Sequence, residues 1–159
     1  YEEEDDTLIV CDYYDSRLRK VDMEGEVTTY AGTTVRMQAE GNRDGPKDQA
    51  KFKHPHVLAK DRWGNIIVAE DFHIRVISPS GEVSTIAGEG SADTGRDGPG
   101  MVARFQMLYG LAVAPNGDLV VADTFNNKLR LVRRYLDEDG NRMPIPSDRL
   151  PTLPPDVQP

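Results

Sequence analysis

Three acidic residues share one recurring sequence position: Asp12, Glu70 and Asp123, each closing a short apolar run. Three arginines share another: Arg19, Arg75 and Arg130. If acid and arginine lie on the two strands of a hairpin, Asp12 stands opposite Arg17 and diagonal to Arg19. Asp123 then stands in the same relation to Lys128 and Arg130. The chemistry of that spacing is a cross-strand ion pair with the acid also capping the turn, worth about 0.2–1 kcal/mol each. The rival chemistry is a ring of carboxylates holding a cation. Repetition favours the structural pairing, because a catalytic centre needs different residues from different units.

Histidine offers a second set of candidates. His54 and His56 share a face if the chain is extended there, and His73 follows Glu70 and Asp71 closely. His56, Glu70 and Asp123 are the candidate metal ligands. No His-Glu-x-x-His spacing is present, and Pro55 between the two histidines marks a loop. One repeat later stand Met107 and Tyr109, so the histidines are loop residues outside the repeat, where function would sit. Gly88-Glu89-Gly90 and Asp97-Gly98-Pro99-Gly100 do not join a strand to a helix as a phosphate loop does, and read as inter-unit loops. Cys11 has Ala69 and Ala122 at its equivalent positions and reads as a small core residue. Trp63 and Phe72 are placed at loop tips, as packing plugs or contact anchors. With His54 and His56 they are the interaction candidates. No residue is assigned a catalytic or cofactor-binding role, and no cofactor is expected.

The elements that carry these residues recur. Leu8-Ile9-Val10-Cys11-Asp12, Ile66-Ile67-Val68-Ala69-Glu70 and Leu119-Val120-Val121-Ala122-Asp123 lie 58 and 53 residues apart. Gly25-Glu26-Val27-Thr28-Thr29-Tyr30-Ala31-Gly32 matches Gly81-Glu82-Val83-Ser84-Thr85-Ile86-Ala87-Gly88. Asp44-Gly45-Pro46 and Ala50-Lys51-Phe52 recur as Asp97-Gly98-Pro99 and Ala103-Arg104-Phe105, both at an offset of 53. Each unit reads as four short strands: a (Val57 to Lys60, Leu111 to Ala114), b (the apolar runs), c (the runs at Leu18, Ile74 and Leu129) and d (Val27 to Ala31, Val83 to Ala87). Asn116-Gly117 signals a two-residue hairpin with positive φ at both positions. No stretch sustains helical periodicity. The b runs are apolar throughout, so both faces are expected to be covered. The d strands carry Thr and Ser, as half-wet outer strands do. An apolar-to-polar gradient across one four-stranded sheet is what a propeller blade needs.

These residues resemble the NHL repeats of β-propellers. The resemblance rests on Gly117 through Arg130, on Val83-Ser84-Thr85-Ile86-Ala87-Gly88, and on the Asp97-Gly98-Pro99…Ala103-Arg104-Phe105 linker, and covers about residues 6–132. It implies an all-β, incomplete propeller arc of antiparallel blades, with about ten strands where a closed ring needs at least four blades of four. The expected organisation is an acidic lead-in at 1–6 and blades at 7–56, 57–109 and, in part, 110–132. An extended Pro-rich tail follows at 133–159. The resemblance implies a protein–protein interaction or scaffold module, part of a longer polypeptide or of an assembly. The alternatives it leaves open are part of a metal-dependent propeller hydrolase or lyase and, less favoured, an RNA-binding NHL face. Loops 33–43, 53–56 and 89–100, and the tail, are the expected contact strips.

Composition narrows the partners. The 159 residues carry 19 Lys and Arg against 27 Asp and Glu, a net charge of −8, which repels nucleic acid. No apolar run reaches the length of a membrane helix. The expected partners are other protein chains or the remaining blades. One cysteine excludes intrachain disulfides, and with no visible leader sequence it favours an intracellular location.

Overall fold

A computed structural model describes residues 6–33, 41–90 and 95–133. The acidic lead-in, the tail and the middles of two predicted contact loops fall largely outside these residues. Eleven strands follow in order: β1 (Leu8–Asp12), β2 (Arg17–Val21), β3 (Val27–Ala31), β4 (Gly45–Pro46), β5 (Val57–Lys60), β6 (Ile66–Ala69), β7 (Ile74–Ile77), β8 (Glu82–Ala87), β9 (Leu108–Val113), β10 (Leu119–Asp123) and β11 (Lys128–Val132). Three antiparallel sheets result, ordered β1-β2-β3, β4-β8-β7-β6-β5 and β11-β10-β9. The one helical element among the described residues is a 3-10 turn at Thr124–Asn126. The fold is all-β.

Each sheet is a blade whose register sets the two faces. In the middle blade, Ile67, Ala69, Ile74 and Val76 point one way, against Leu108, Leu119 and Val121 of the next blade. Ile66, Val68 and Ile77 point the other way, against Ile9, Leu18 and Ala31 of the preceding blade. β6 and β7 are therefore buried on both faces. The terminal blades differ from the expectation that every b strand is covered twice. Leu8 and Val10 of β1 and Val120 of β10 are exposed, as are Leu129 and Leu131 of β11. No described blade packs beyond them, so one face of each end blade stays open.

Two expectations about connections change. The Asn116-Gly117 turn is not a two-residue hairpin. Gly117 N–H donates to Ala114 O and Ala114 N–H to Asp118 O, with positive φ at Gly117 alone. This is a type I turn closed by a left-handed glycine, and Pro115 and Asn116 fit its ordinary positions. Three other turns, ending at Gly25, Gly64 and Gly81, repeat that bonding pattern. Strand a of the third blade starts at Leu108, three residues before the expected Leu111. Leu108 is fully buried and pairs with Asp123 across a register shift, so burial extends the strand.

The glycine-rich linkers are not plain loops. Gly45-Pro46 adds a fifth strand beside β8, and Gly32 N–H donates to Lys47 O. In the next linker Gly88 N–H donates to Gly100 O and Glu89 N–H to Ala103 O. Phe52 and Phe105 are buried between blades. Each linker is thus a strap that fastens one blade to the next.

Candidate functional site

The repeated acids and arginines build a lock under each strap. Arg75 Nη1 donates to Glu70 Oε1 (3.3 Å) and to Lys51 O (2.9 Å). Arg75 Nη2 donates to Arg43 O (3.0 Å) and to Asp44 Oδ1 (2.8 Å). Its guanidinium lies 5.3 Å from the centre of the Phe52 ring. One repeat on, Arg130 reaches Asp123 Oδ2 (3.0 Å), Asp97 Oδ1 (2.7 Å), Arg104 O and Arg96 O, over the Phe105 ring at 4.6 Å. The strap motif Asp-Gly-Pro…Ala-x-Phe is therefore the receptor for a strand-c arginine, and Asp, Phe and two carbonyls supply its contacts. The planar guanidinium fork suits this task, because it satisfies several acceptors at once.

The first blade holds only half of a lock. Arg19 lies 3.7 Å from Asp12 and donates to Thr29 Oγ1 (2.8 Å). Burial separates the two complete locks from the half lock: the side chain is 0% exposed at Arg75 and 9% at Arg130, against 25% at Arg19.

Burial sets the charge state in the middle lock. Glu70 is pushed up to about 8 by burial, against the pull of Arg75. His73 is pushed down to about 4, first by burial and then by the positive charges of Arg75 and Lys53. Its Nε2 lies 3.2 Å from the Asn42 amide, consistent with a neutral ring accepting there. Asp44 is held below the usual range. Its burial acts upward, but the Thr85 N–H and hydroxyl, together with Arg75, outweigh it. Burial, with Glu70 nearby, pushes the Cys11 thiol up to about 12, so it is no nucleophile.

A second cluster lies at the b–c loop end of the blades. His54 Nδ1 and His56 Nε2 each lie 2.8 Å from one oxygen of the buried Asp71 carboxylate. Tyr13 stacks on His54 with ring centres 4.7 Å apart, and Tyr109 meets His56 edge-on at 4.5 Å. Phe125 continues the row at 6.2 Å from Tyr109, and Tyr14 sits against Tyr13 at 4.9 Å. Tyr14 is 92% exposed, and Tyr109 and Phe125 are also exposed. An aromatic rim thus crosses all three blades, with the Asp71–histidine cluster beneath it.

His54 and His56, predicted as contact residues, form the floor of this rim. Phe72 is half-buried on the same side, with Lys53 Nζ 5.9 Å from its ring. Trp63 is on the β5–β6 turn, at the opposite end of β6 from the rim, beside Arg62. The candidate ligands His56, Glu70 and Asp123 are each engaged by another side chain, Asp71, Arg75 and Arg130 respectively. Among the described residues no group of three His, Cys, Asp or Glu side chains is placed to hold a metal ion. Sequence reasoning missed Tyr14 and Phe125. A signal existed: Tyr14, Phe72 and Phe125 each stand two residues after the repeated acid.

Blades packed side by side through shared cores, fastened by straps and open at both ends, define an arc of a β-propeller. Solved structures agree. The chain is similar to a Bacteroides thetaiotaomicron structural genomics protein of unknown function, with 24% identity and a TM-score of 0.74 over 82% of this chain and 33% of that one. It is similar to an auxiliary nutrient binding protein of Bacteroides ovatus, at 17% identity and TM-score 0.64 over 82% and 35%. Streptogramin B lyase, a β-propeller, matches at 14% identity and TM-score 0.54 over 88% and 37%. The chain spans about a third of the length of each. No protein-family model and no curated protein matches the sequence. No helix among the described residues is long and apolar enough to cross a membrane.

Proposed function

We propose that this chain is a segment of a larger NHL-type propeller and serves as a non-catalytic module that docks another protein chain. The observation that carries the reading is the exposed aromatic rim of Tyr14, Tyr109 and Phe125, carried by the first and third blades with the histidines between them. Exposed aromatic rings on a rigid base are the usual anchors of protein interfaces, because they bury much area at little entropic cost. The straps supply the rigidity.

The test is a Tyr14→Ala/Phe125→Ala variant of the full chain. It is expected to keep wild-type circular dichroism and lose at least tenfold affinity for a protein captured from extract and reconstituted in purified form. Equal affinity of wild type and variant overturns the reading. So does hydrolase or lyase turnover by the intact protein that the rim variant leaves unchanged.

A further inference from the structure

We infer that the open face of the first blade is a socket for one more strap, of the form Asp-Gly-Pro-x-x-x-Ala-Lys/Arg-Phe, delivered with a strand a by a preceding blade. The inference rests on the reading of the chain as a propeller segment and names what the segment binds at that edge.

Superposing the repeats by register gives the argument. The faces holding Ile66, Val68, Arg75 and Ile77 in the middle blade, and Leu119, Val121, Arg130 and Val132 in the third, point toward the preceding blade and its strap. Their equivalents in the first blade are Leu8, Val10, Arg19 and Val21, paired Leu8 with Val21 and Val10 with Arg19. Ile66 and Val68 are 3% and 0% exposed, whereas Leu8 and Val10 are 48% and 40% exposed.

The polar half of the socket is already in place. Asp12 stands where Glu70 and Asp123 stand, and Arg19 pairs with Thr29 across the sheet as Arg75 pairs with Thr85. In the middle blade, Thr85 N–H and Oγ1 bind the strap's Asp44, which also takes Arg75. In the first blade, Arg19 has Asp12 and Thr29 as its only polar partners among the described residues.

The occupant is defined by the two filled locks. It supplies an aspartate and two carbonyls to the guanidinium, and a phenylalanine ring against its face and the apolar residues beside it. The chain's own straps are already engaged at Arg75 and Arg130. Its C-terminal region has no phenylalanine after Phe125. A second copy of this chain therefore has no spare strap of the required pattern, and an additional blade is the occupant that fits. The same unit would add a strand beside β1, which has no partner on that side among the described residues, whereas β6 is paired by β5.

The experiment repeats residues 42–65 of this chain directly upstream of Leu8 in the full-length protein, supplying a strap, a strand a and the turn into strand b. Urea unfolding compares this extended chain with the original, each with and without Arg19→Ala. The extended chain is expected to be more stable. Arg19→Ala is expected to lower its folding equilibrium constant at least tenfold more than it lowers that of the original. Changing the added strap's aspartate to alanine should remove most of that difference. Binding of a synthetic peptide of residues 42–60 to the unextended chain, weakened tenfold by Arg19→Ala, gives the same answer in trans. An extended chain that is no more stable, or equal Arg19→Ala effects in both backgrounds, overturns the socket. The rim variant of the preceding section should leave this coupling intact, so the two readings fail separately.

Discussion

Replacing Arg75 by alanine tests the lock where it is complete. The side chain is fully buried, and its loss strips a hydrogen bond from each of Glu70, Asp44, Lys51 O and Arg43 O. It also empties the space beside Phe52. Breaking a buried ion pair from one side costs about 3–5 kcal/mol. Glu70, pushed up to about 8 by burial even with Arg75 present, is mostly protonated at neutral pH and leaves no bare carboxylate behind. That relief places Arg75→Ala at the lower end, about 3 kcal/mol. Arg130 has the same partners, but Asp97 is exposed to water and recovers solvation when the arginine leaves. Asp123 is fully buried but keeps hydrogen bonds from Gln106 N–H and Asn126 Nδ2, so Arg130→Ala is expected to cost about 1–2 kcal/mol. Arg19 is partly exposed and 3.7 Å from Asp12, so Arg19→Ala should cost under about 1 kcal/mol. Urea unfolding of the three variants at unchanged m reads the order directly. Equal costs, or a larger cost at Arg19 than at Arg75, would refute the claim that the strap completes the lock.

Two further expectations concern the middle blade. His73 is held near 4 in the folded protein against an ordinary 6.5, so the unfolded chain takes up the proton first as pH falls. Its contribution is complete above pH 6.5 and is lost toward pH 4 at up to about 1.4 kcal/mol per unit. Glu70, raised to about 8, acts in the opposite sense between its ordinary value and pH 8, so the two slopes oppose each other over part of the range. A His73→Gln variant isolates the first slope by difference. An identical pH profile in variant and wild type would contradict the assignment. Gly88→Ala should destabilise by about 3 kcal/mol, from a left-handed φ plus backbone crowding. A Cβ there would meet Phe72 O at 2.0 Å and His73 Cα at 2.9 Å. The equivalent Gly32 would meet only Arg17, at 3.1 Å, so Gly32→Ala should cost about 1 kcal/mol. Thermal melts of both variants rank the two sites.

The blades were legible because strand information is local. Alternation of short β-branched runs with Gly and Asp turns placed strands b, c and d within a residue of where they lie. The repeat offset also aligned Asp12, Glu70 and Asp123 with their arginines, which fixed the hairpin register: Asp12 pairs with Arg17 and Asp123 with Lys128. What each arginine does was not local. Arg75 and Arg43 are 32 residues apart in sequence, and only the turn of one blade onto the next brings that carbonyl to the guanidinium.

The rim was illegible for the same reason. Tyr13, His56 and Tyr109 come from three blades, and nothing in the spacing of any one segment says that their rings meet. The histidines stood out in the sequence as lone polar residues beside a proline, but the carboxylate that binds both was assigned to another loop. Sequence alone determined the repeat, the strand order within a blade and the acid–arginine register, because these follow from short-range pattern. Tertiary structure decided which of three equivalent arginines is buried, which apolar faces stay open, and which side chains share the rim. Those outcomes depend on whether a neighbouring blade is present, and identical motifs give different burial when their neighbours differ.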